Sequence, residues 1–146
     1  MSEAMARPRP LPSVLSSIPM FVEPFFLTPA SLNHLSGLAG ELDKEGYETA
    51  FFHGAQNGSM GFEAFSRSTG FNKYYGRTEF EADTRFGGKD EFDGTWAIWD
   101  EPFLQFYAHK MSEMKQPFMT AVFTVSSHTP YVIPNKYKKT YPEEGL

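Results

Sequence analysis

The chain has 146 residues, of which 40% are hydrophobic and 16% aromatic, enough apolar material for one globular domain with a buried core. A formal net charge of -5, with Lys and Arg scattered, leaves no basic footprint and argues against nucleic acid as a partner, although a local site can still oppose the net charge and accept an anion. The absence of cysteine removes disulfides, thiol nucleophiles and thiolate metal sites together.

Residues 1–10 are rich in Pro and Arg and read as an irregular lead-in. The opening "MSEAMARPRPLPS" lacks the apolar core of a signal peptide, and no apolar run reaches the roughly 20 residues that span a bilayer. As written, the chain is expected to carry no signal or transmembrane segment. "LPSVLSSIPMF" predicts a short helix between Pro12 and Pro19. In the next segment Thr28 is placed to cap a helix, Pro29 suits its first position, and Leu32, Leu35, Leu38, Ala39 and Leu42 recur at helical spacing up to a stop at Gly46. "YETAFF" then predicts a short buried strand ending in His53-Gly54.

"AQNGSMG" reads as a polar turn and "FEAFSRSTG" as an amphipathic helix ending near Gly70. Residues 71–99 mix Gly, Asp and aromatics without clean periodicity, which predicts a long ordered loop with one short helix. Asp100 is positioned to cap a helix through about Met114, with Phe103, Leu104, Phe106, Tyr107 and Met111 as its apolar face. "FMTAVFTV" predicts a continuous strand of the buried, parallel kind. The order helix, strand, helix, loop, helix, strand implies an α/β fold. Two parallel strands cannot close such a layer, so the expected architecture is a partial parallel sheet with flanking helices and exposed edges.

The stretch "VFTVSSHTPYVIP" ends the second strand in His128. Its functional reading is a pocket-rim imidazole that hydrogen-bonds an anionic or polyol group; its bland reading is a turn histidine satisfied by nearby serines. His53 and Asn57 allow the same two readings. They can face the pocket rim, or "HGAQNGS" can simply use Gly and Asn for left-handed backbone and His to close the loop. His34 and His109 fall on helix surfaces. The acidic residues Asp90, Glu91, Asp93, Asp100 and Glu101 lack calcium-loop spacing and read as a solvated rim, while Trp96 and Trp99 read as core or pocket-wall residues.

Five stretches in order, "LPSVLSSIPMF", "KEGYETAFFHGAQNGSMGFEAF", "GFNKYYGR", "FDGTWAIWDEPFLQF" and "FTVSSHTPYVIPNKY", resemble the sulfatase-like proteins related to lipoteichoic acid synthase and the phosphoglycerol transferases, within the alkaline phosphatase superfamily. The resemblance implies that residues 11–146 are the central part of a sulfatase-like α/β/α catalytic domain. It implies a phosphate or sulfate ester ligand, a Thr or Ser nucleophile, and a divalent cation, Mn, Mg or Zn. It also implies a membrane-anchored parent with an extracytoplasmic catalytic domain.

By this resemblance His128 matches the histidine that contacts the substrate head group. The nucleophile position falls in "EAMARPRP", which has no hydroxyl residue, and the family's Trp and Arg head-group contacts fall near Met60 to Glu63, where "MGFE" has neither. The metal-ligand segments lie upstream and downstream of the matched stretch. The chain is therefore expected to be catalytically incomplete and to bind no cation by itself. The alternatives are a non-catalytic binding module that retains an anionic head-group pocket around His128, or an enzyme finished by a complementing chain.

Overall fold

A computed structural model describes residues 10–18, 28, 29, 33 and 35–142. Strands β1 (Glu48–His53), β2 (Lys73–Tyr75) and β3 (Phe118–Phe123) form a parallel sheet in the order β2-β1-β3. Helices α1 (Pro10–Ser16), α2 (Leu38–Lys44), α3 (Phe62–Ser68), α4 (Arg77–Ala82) and α5 (Asp100–Ser112) flank it. This is the partial parallel sheet with flanking helices that the sequence predicts.

Strand β1 is central, and five of its six residues are buried. Because successive strand side chains point to opposite faces, Phe51 and Phe52 enter different layers. Phe51 packs with Leu15, Ala39, Phe62, Phe65 and Phe71 on the face of α1, α2 and α3. Phe52 packs with Phe80, Ile98, Phe103, Phe106 and Met114 on the face of α4 and α5. Each phenylalanine also stacks on a tyrosine of β2, Phe51 on Tyr74 at 5.9 Å and Phe52 on Tyr75 at 4.6 Å between ring centroids. Full burial of one such side chain stabilises the fold by about 1.5–3 kcal/mol, so neighbouring residues on one strand anchor both layers.

Four expectations are corrected. A helix running from Thr28 to Gly46 does not form, because residues 35–37 are not helical and α2 starts only at Leu38. The cause is a close backbone approach. Leu35 and Gly40 donate their N–H groups to the carbonyls of Ser68 and Thr69, and the extended residue between them is glycine, since a Cβ at Gly37 would lie 2.8 Å from the Thr69 Cβ. Gly46, at φ 84°, does end the helix as expected. His34 and most of the expected first turn lie outside the described residues.

The stretch 71–99 is also more ordered than its sequence suggests, since it holds β2 and α4 in addition to short 3-10 turns. Strand β2 is three residues long and pairs with β1 on one side only, too short to display alternation. Strand β3 is an edge strand and half-buried throughout, not fully buried, although its register with β1 runs the whole length from Glu48–Phe118 to His53–Phe123. Finally, Trp99 rather than Asp100 occupies the cap position of α5, and Leu104 is exposed.

Gly70 marks where the α3 turn meets α2. Its φ is +92° and a Cβ would come within 2.3 Å of the Gly40 Cα, whereas Gly58, at φ +78°, has open space around it. Urea unfolding is expected to show Gly70→Ala losing on the order of 3 kcal/mol and Gly58→Ala only about 1 kcal/mol. Equal losses would mean that backbone approach contributes nothing at Gly70.

Candidate functional site

A cavity of about 280 Å³ opens beyond the carboxyl ends of β1 and β3. In parallel α/β sheets this is the edge where loops, rather than strands, supply the side chains, and where ligands bind when chain connections leave over opposite faces. Here the chain after β1 returns through α3 on the Phe51 face, and the chain after β2 returns through α4 and α5 on the Phe52 face.

His53 and His128 both line the cavity. His53 closes β1 and is only 4% exposed. Its ring lies against Phe62 at 4.6 Å and Phe123 at 5.1 Å, and Nδ1–H donates to the Phe123 carbonyl at 3.0 Å. A carbonyl only accepts, so the neutral ring carries its proton on Nδ1 and leaves Nε2 as an acceptor. Burial pushes the His53 pKa below its ordinary 6.5, an effect that the carbonyl bond and the charge of Asp100 partly oppose.

His128 sits in a turn held by two backbone bonds, its own N–H to the Val125 carbonyl at 2.8 Å and the Tyr131 N–H to its carbonyl at 3.0 Å. Its Nδ1–H donates to the Thr129 carbonyl at 2.8 Å, so here too Nε2 is the acceptor of the neutral ring. The serines expected to satisfy this histidine do not. Ser126 Oγ instead accepts the Asp100 N–H at 2.8 Å, while Asp100 Oδ1 takes the N–H groups of Val125 at 2.8 Å and Ser126 at 3.1 Å. Asp100 thus ties the exit of β3 to the start of α5, which sets where the His128 turn stands.

Trp96 forms a wall of the cavity, 43% exposed, with its ring centroid 5.1 Å from that of His128. Its Nε1–H donates to the Thr129 carbonyl at 2.8 Å, so both rings are fastened to one carbonyl. Asp93 orders the loop beneath, with Oδ1 accepting N–H groups from Thr95 and Trp96 at 2.7 Å and from Ala97 at 3.2 Å. Met60 lines the mouth at φ 52°, half-exposed, in a left-handed conformation unusual for a side chain of its size.

Asn57 is not among the described residues of this cavity. Its Oδ1 accepts the Thr78 N–H at 3.1 Å and its Nδ2 donates to Glu79, whose carboxylate also takes the Gly76 N–H at 2.7 Å. It caps α4 from the β1–α3 loop. His109 lies half-buried on α5 beside Phe86. The structural roles of Asp93 and Asp100, and the place of Met60, were not visible in the sequence, where a carboxylate serving a distant loop looks like any acidic surface residue.

A sulfatase family model matches residues 9–145. The chain belongs to the sulfatase family. This sulfatase-family chain is 26% identical over 105 residues to lipoteichoic acid synthase 1 of Bacillus subtilis (strain 168), a match that covers 71% of the chain and 16% of that protein. Two solved structures share its fold. One is a protein in the alkaline phosphatase superfamily from Vibrio parahaemolyticus, with a TM-score of 0.70 and 24% identity over 84% of this chain and 29% of that one. The other is the lipoteichoic acid synthase LtaP from Listeria monocytogenes, with a TM-score of 0.62 and 24% identity over 86% and 30%.

Sulfatase-family enzymes generally use a divalent metal. Among the described residues of this sulfatase-family chain no three His, Asp or Glu side chains converge as ligands, so these residues do not fit such an ion. No described helix is long and apolar enough to cross a membrane.

Because folding depresses the His53 pKa, the unfolded chain binds that proton more readily. The stability given by the neutral ring is complete above about pH 6.5 and is lost as the pH falls through the range below it. Urea midpoints measured from about pH 7.5 down to 5 are expected to fall less steeply for His53→Gln than for the wild type. Parallel slopes would remove His53 as the source of the pH dependence.

Proposed function

We propose that the chain is the head-group-binding part of an enzyme that hydrolyses or transfers phosphate or sulfate esters, and that its cavity holds the organic part of the ester. The observation that carries this reading is the convergence of His53, His128 and Trp96 on one cavity at the carboxyl ends of β1 and β3. Family membership supports the ester class. The likeness to lipoteichoic acid synthase 1 supports a phosphoglycerol-transferase type of chemistry, and also a membrane-anchored parent acting outside the cytoplasm.

In this reading the residues of the chain bind and orient. His53 offers Nε2 from a buried ring whose other nitrogen is fixed, His128 does the same at the rim, and Trp96 closes one side against water. A nucleophile and a divalent cation would come from outside the described residues, either from further chain or from a complementing polypeptide. Groups that act as a unit lose nearly all their rate when separated, so the chain alone is proposed to bind without turnover. A non-catalytic binding module is the second reading, favoured by the lack of a converging ligand set among the described residues.

The test is binding of 4-nitrophenyl phosphate and 4-nitrophenyl sulfate to the purified chain, read by tryptophan fluorescence, with release of 4-nitrophenol followed in added Mn²⁺. The expected result is saturable binding of at least one ester, weakened about tenfold in His128→Ala, and no release. Metal-dependent release would show the chain to be a complete enzyme, and equal binding by the variant would take His128 out of the site.

A further inference from the structure

The mouth of the cavity, and the segment that leaves it, carry large apolar side chains that the fold leaves in solvent. Met60, Trp96, Tyr131, Val132 and Tyr141, between 42% and 62% exposed, are five of the eight exposed large hydrophobics among the described residues. The first four gather at one rim. Trp96 donates Nε1–H to the Thr129 carbonyl, and the Tyr131 N–H donates to the carbonyl of His128, which lines the cavity together with Met60.

Backbone conformation singles out the same rim. Among the described residues three other than glycine have positive φ, and two of them are Met60 at 52° and Tyr131 at 58°. Left-handed backbone is costly for a bulky side chain, and it persists where the surrounding structure over-determines it, as at ligand clamps. Here it holds a thioether and a phenol ring half in water, where they add little to the core.

The chain beyond the rim is basic. Residues 128–142 contain three lysines, three tyrosines and no Asp or Glu, in a chain of formal net charge -5. Lys136, Lys138 and Lys139 are exposed. Lys136 pairs with Glu101 at 2.6 Å, so one charge is already offset, and Glu143 and Glu144 follow in sequence. Charge alone is therefore too weak to hold a partner here, and the apolar rim must contribute. A partner with negative charge at its surface and apolar depth beneath it is a lipid bilayer, and Trp, Tyr and Lys are side chains that settle at its interface. A soluble polyanion lacks the apolar depth.

We propose that the rim of Met60, Trp96, Tyr131 and Val132, with Lys138 and Lys139 on the segment that follows it, docks on a bilayer containing anionic lipid. The apolar side chains enter the interfacial layer and the lysines face the lipid phosphates. The contact lies on the outer rim and does not depend on what the cavity holds, so it stands or falls separately from the ester reading.

The experiment sediments the whole 146-residue chain with vesicles of phosphatidylcholine alone or mixed with phosphatidylglycerol. Binding to the mixed vesicles is expected to exceed binding to the neutral ones about tenfold, and to fall about fivefold when salt rises from about 50 to about 500 mM. Lys138→Gln combined with Lys139→Gln is expected to weaken it about tenfold. Tyr131→Asn is expected to weaken it about fivefold without lowering the urea midpoint, because asparagine accepts left-handed backbone. In Trp99→Phe, which leaves Trp96 as the only indole, brominated acyl chains are expected to quench the fluorescence.

Equal binding to neutral and mixed vesicles, or binding to neither, would overturn the proposal. Undiminished binding by both the lysine variant and Tyr131→Asn places the contact elsewhere and overturns it as well. Displacement by inorganic polyphosphate, without quenching by brominated lipid, identifies a soluble polyanion as the partner and does the same.

Discussion

Burial of two consecutive phenylalanines on opposite faces of β1 is the constraint on which the remainder of the molecule depends. Phe51 and Phe52 are both fully buried, and each is surrounded by residues from helices on its own side of the sheet. A central strand with side chains committed to both layers cannot slip by one residue without exchanging the contents of those layers. Its register with β2 and β3 is therefore held firmly, and so is the position of His53 at its end. The location of the site follows from the packing of the core.

Polar contacts finish what packing begins. Thr49 and Asn72 bond reciprocally at the entrance of β1, with the Thr49 N–H donating to Asn72 Oδ1 at 2.9 Å and the Asn72 N–H to Thr49 Oγ1 at 2.9 Å. Lys73 of β2 pairs with Glu48 of β1 at the same end. At the opposite end β1 and β3 are joined by the His53 bond to the Phe123 carbonyl, and no side-chain pair of this reciprocal kind joins β1 to β2 among the described residues. Asp93 and Asp100 instead spend their side chains on the backbone of loops that hold the cavity walls, and Asn57 spends its own on the start of α4. One end of the sheet is closed for stability and the other is ordered for binding.

This division explains which features could be read from the residues. β1, α3, α5 and β3 were legible because each is long enough, or apolar enough, to show its period. β2 was not, as three residues bracketed by Asn72 and Gly76 carry no pattern and owe their extension to pairing with β1. The early helix start failed for a similar reason: Leu35 fits the helical spacing, yet its N–H is taken by Ser68 across the α3 turn, and tertiary contact overrode local preference. His128 and His53 stood out as histidines at strand ends. That Asn57 would cap α4, and that Asp100 would bind the β3 exit rather than its own helix, depended on partners more than 20 residues away.

The bond from His53 to the Phe123 carbonyl spans 70 residues of sequence. It joins the end of β1 to the end of β3, and the cavity lies between them. During synthesis from the N-terminus, α2, β1, α3 and β2 can associate while the ribosome is still adding residues, and half of the binding site would then face solvent as an open apolar shelf. Only docking of β3 encloses it, by pairing of the kind that is slow because so much chain must first be drawn in. Competence to bind therefore waits on β3, and a ligand that fills the cavity would act as a latch on that strand.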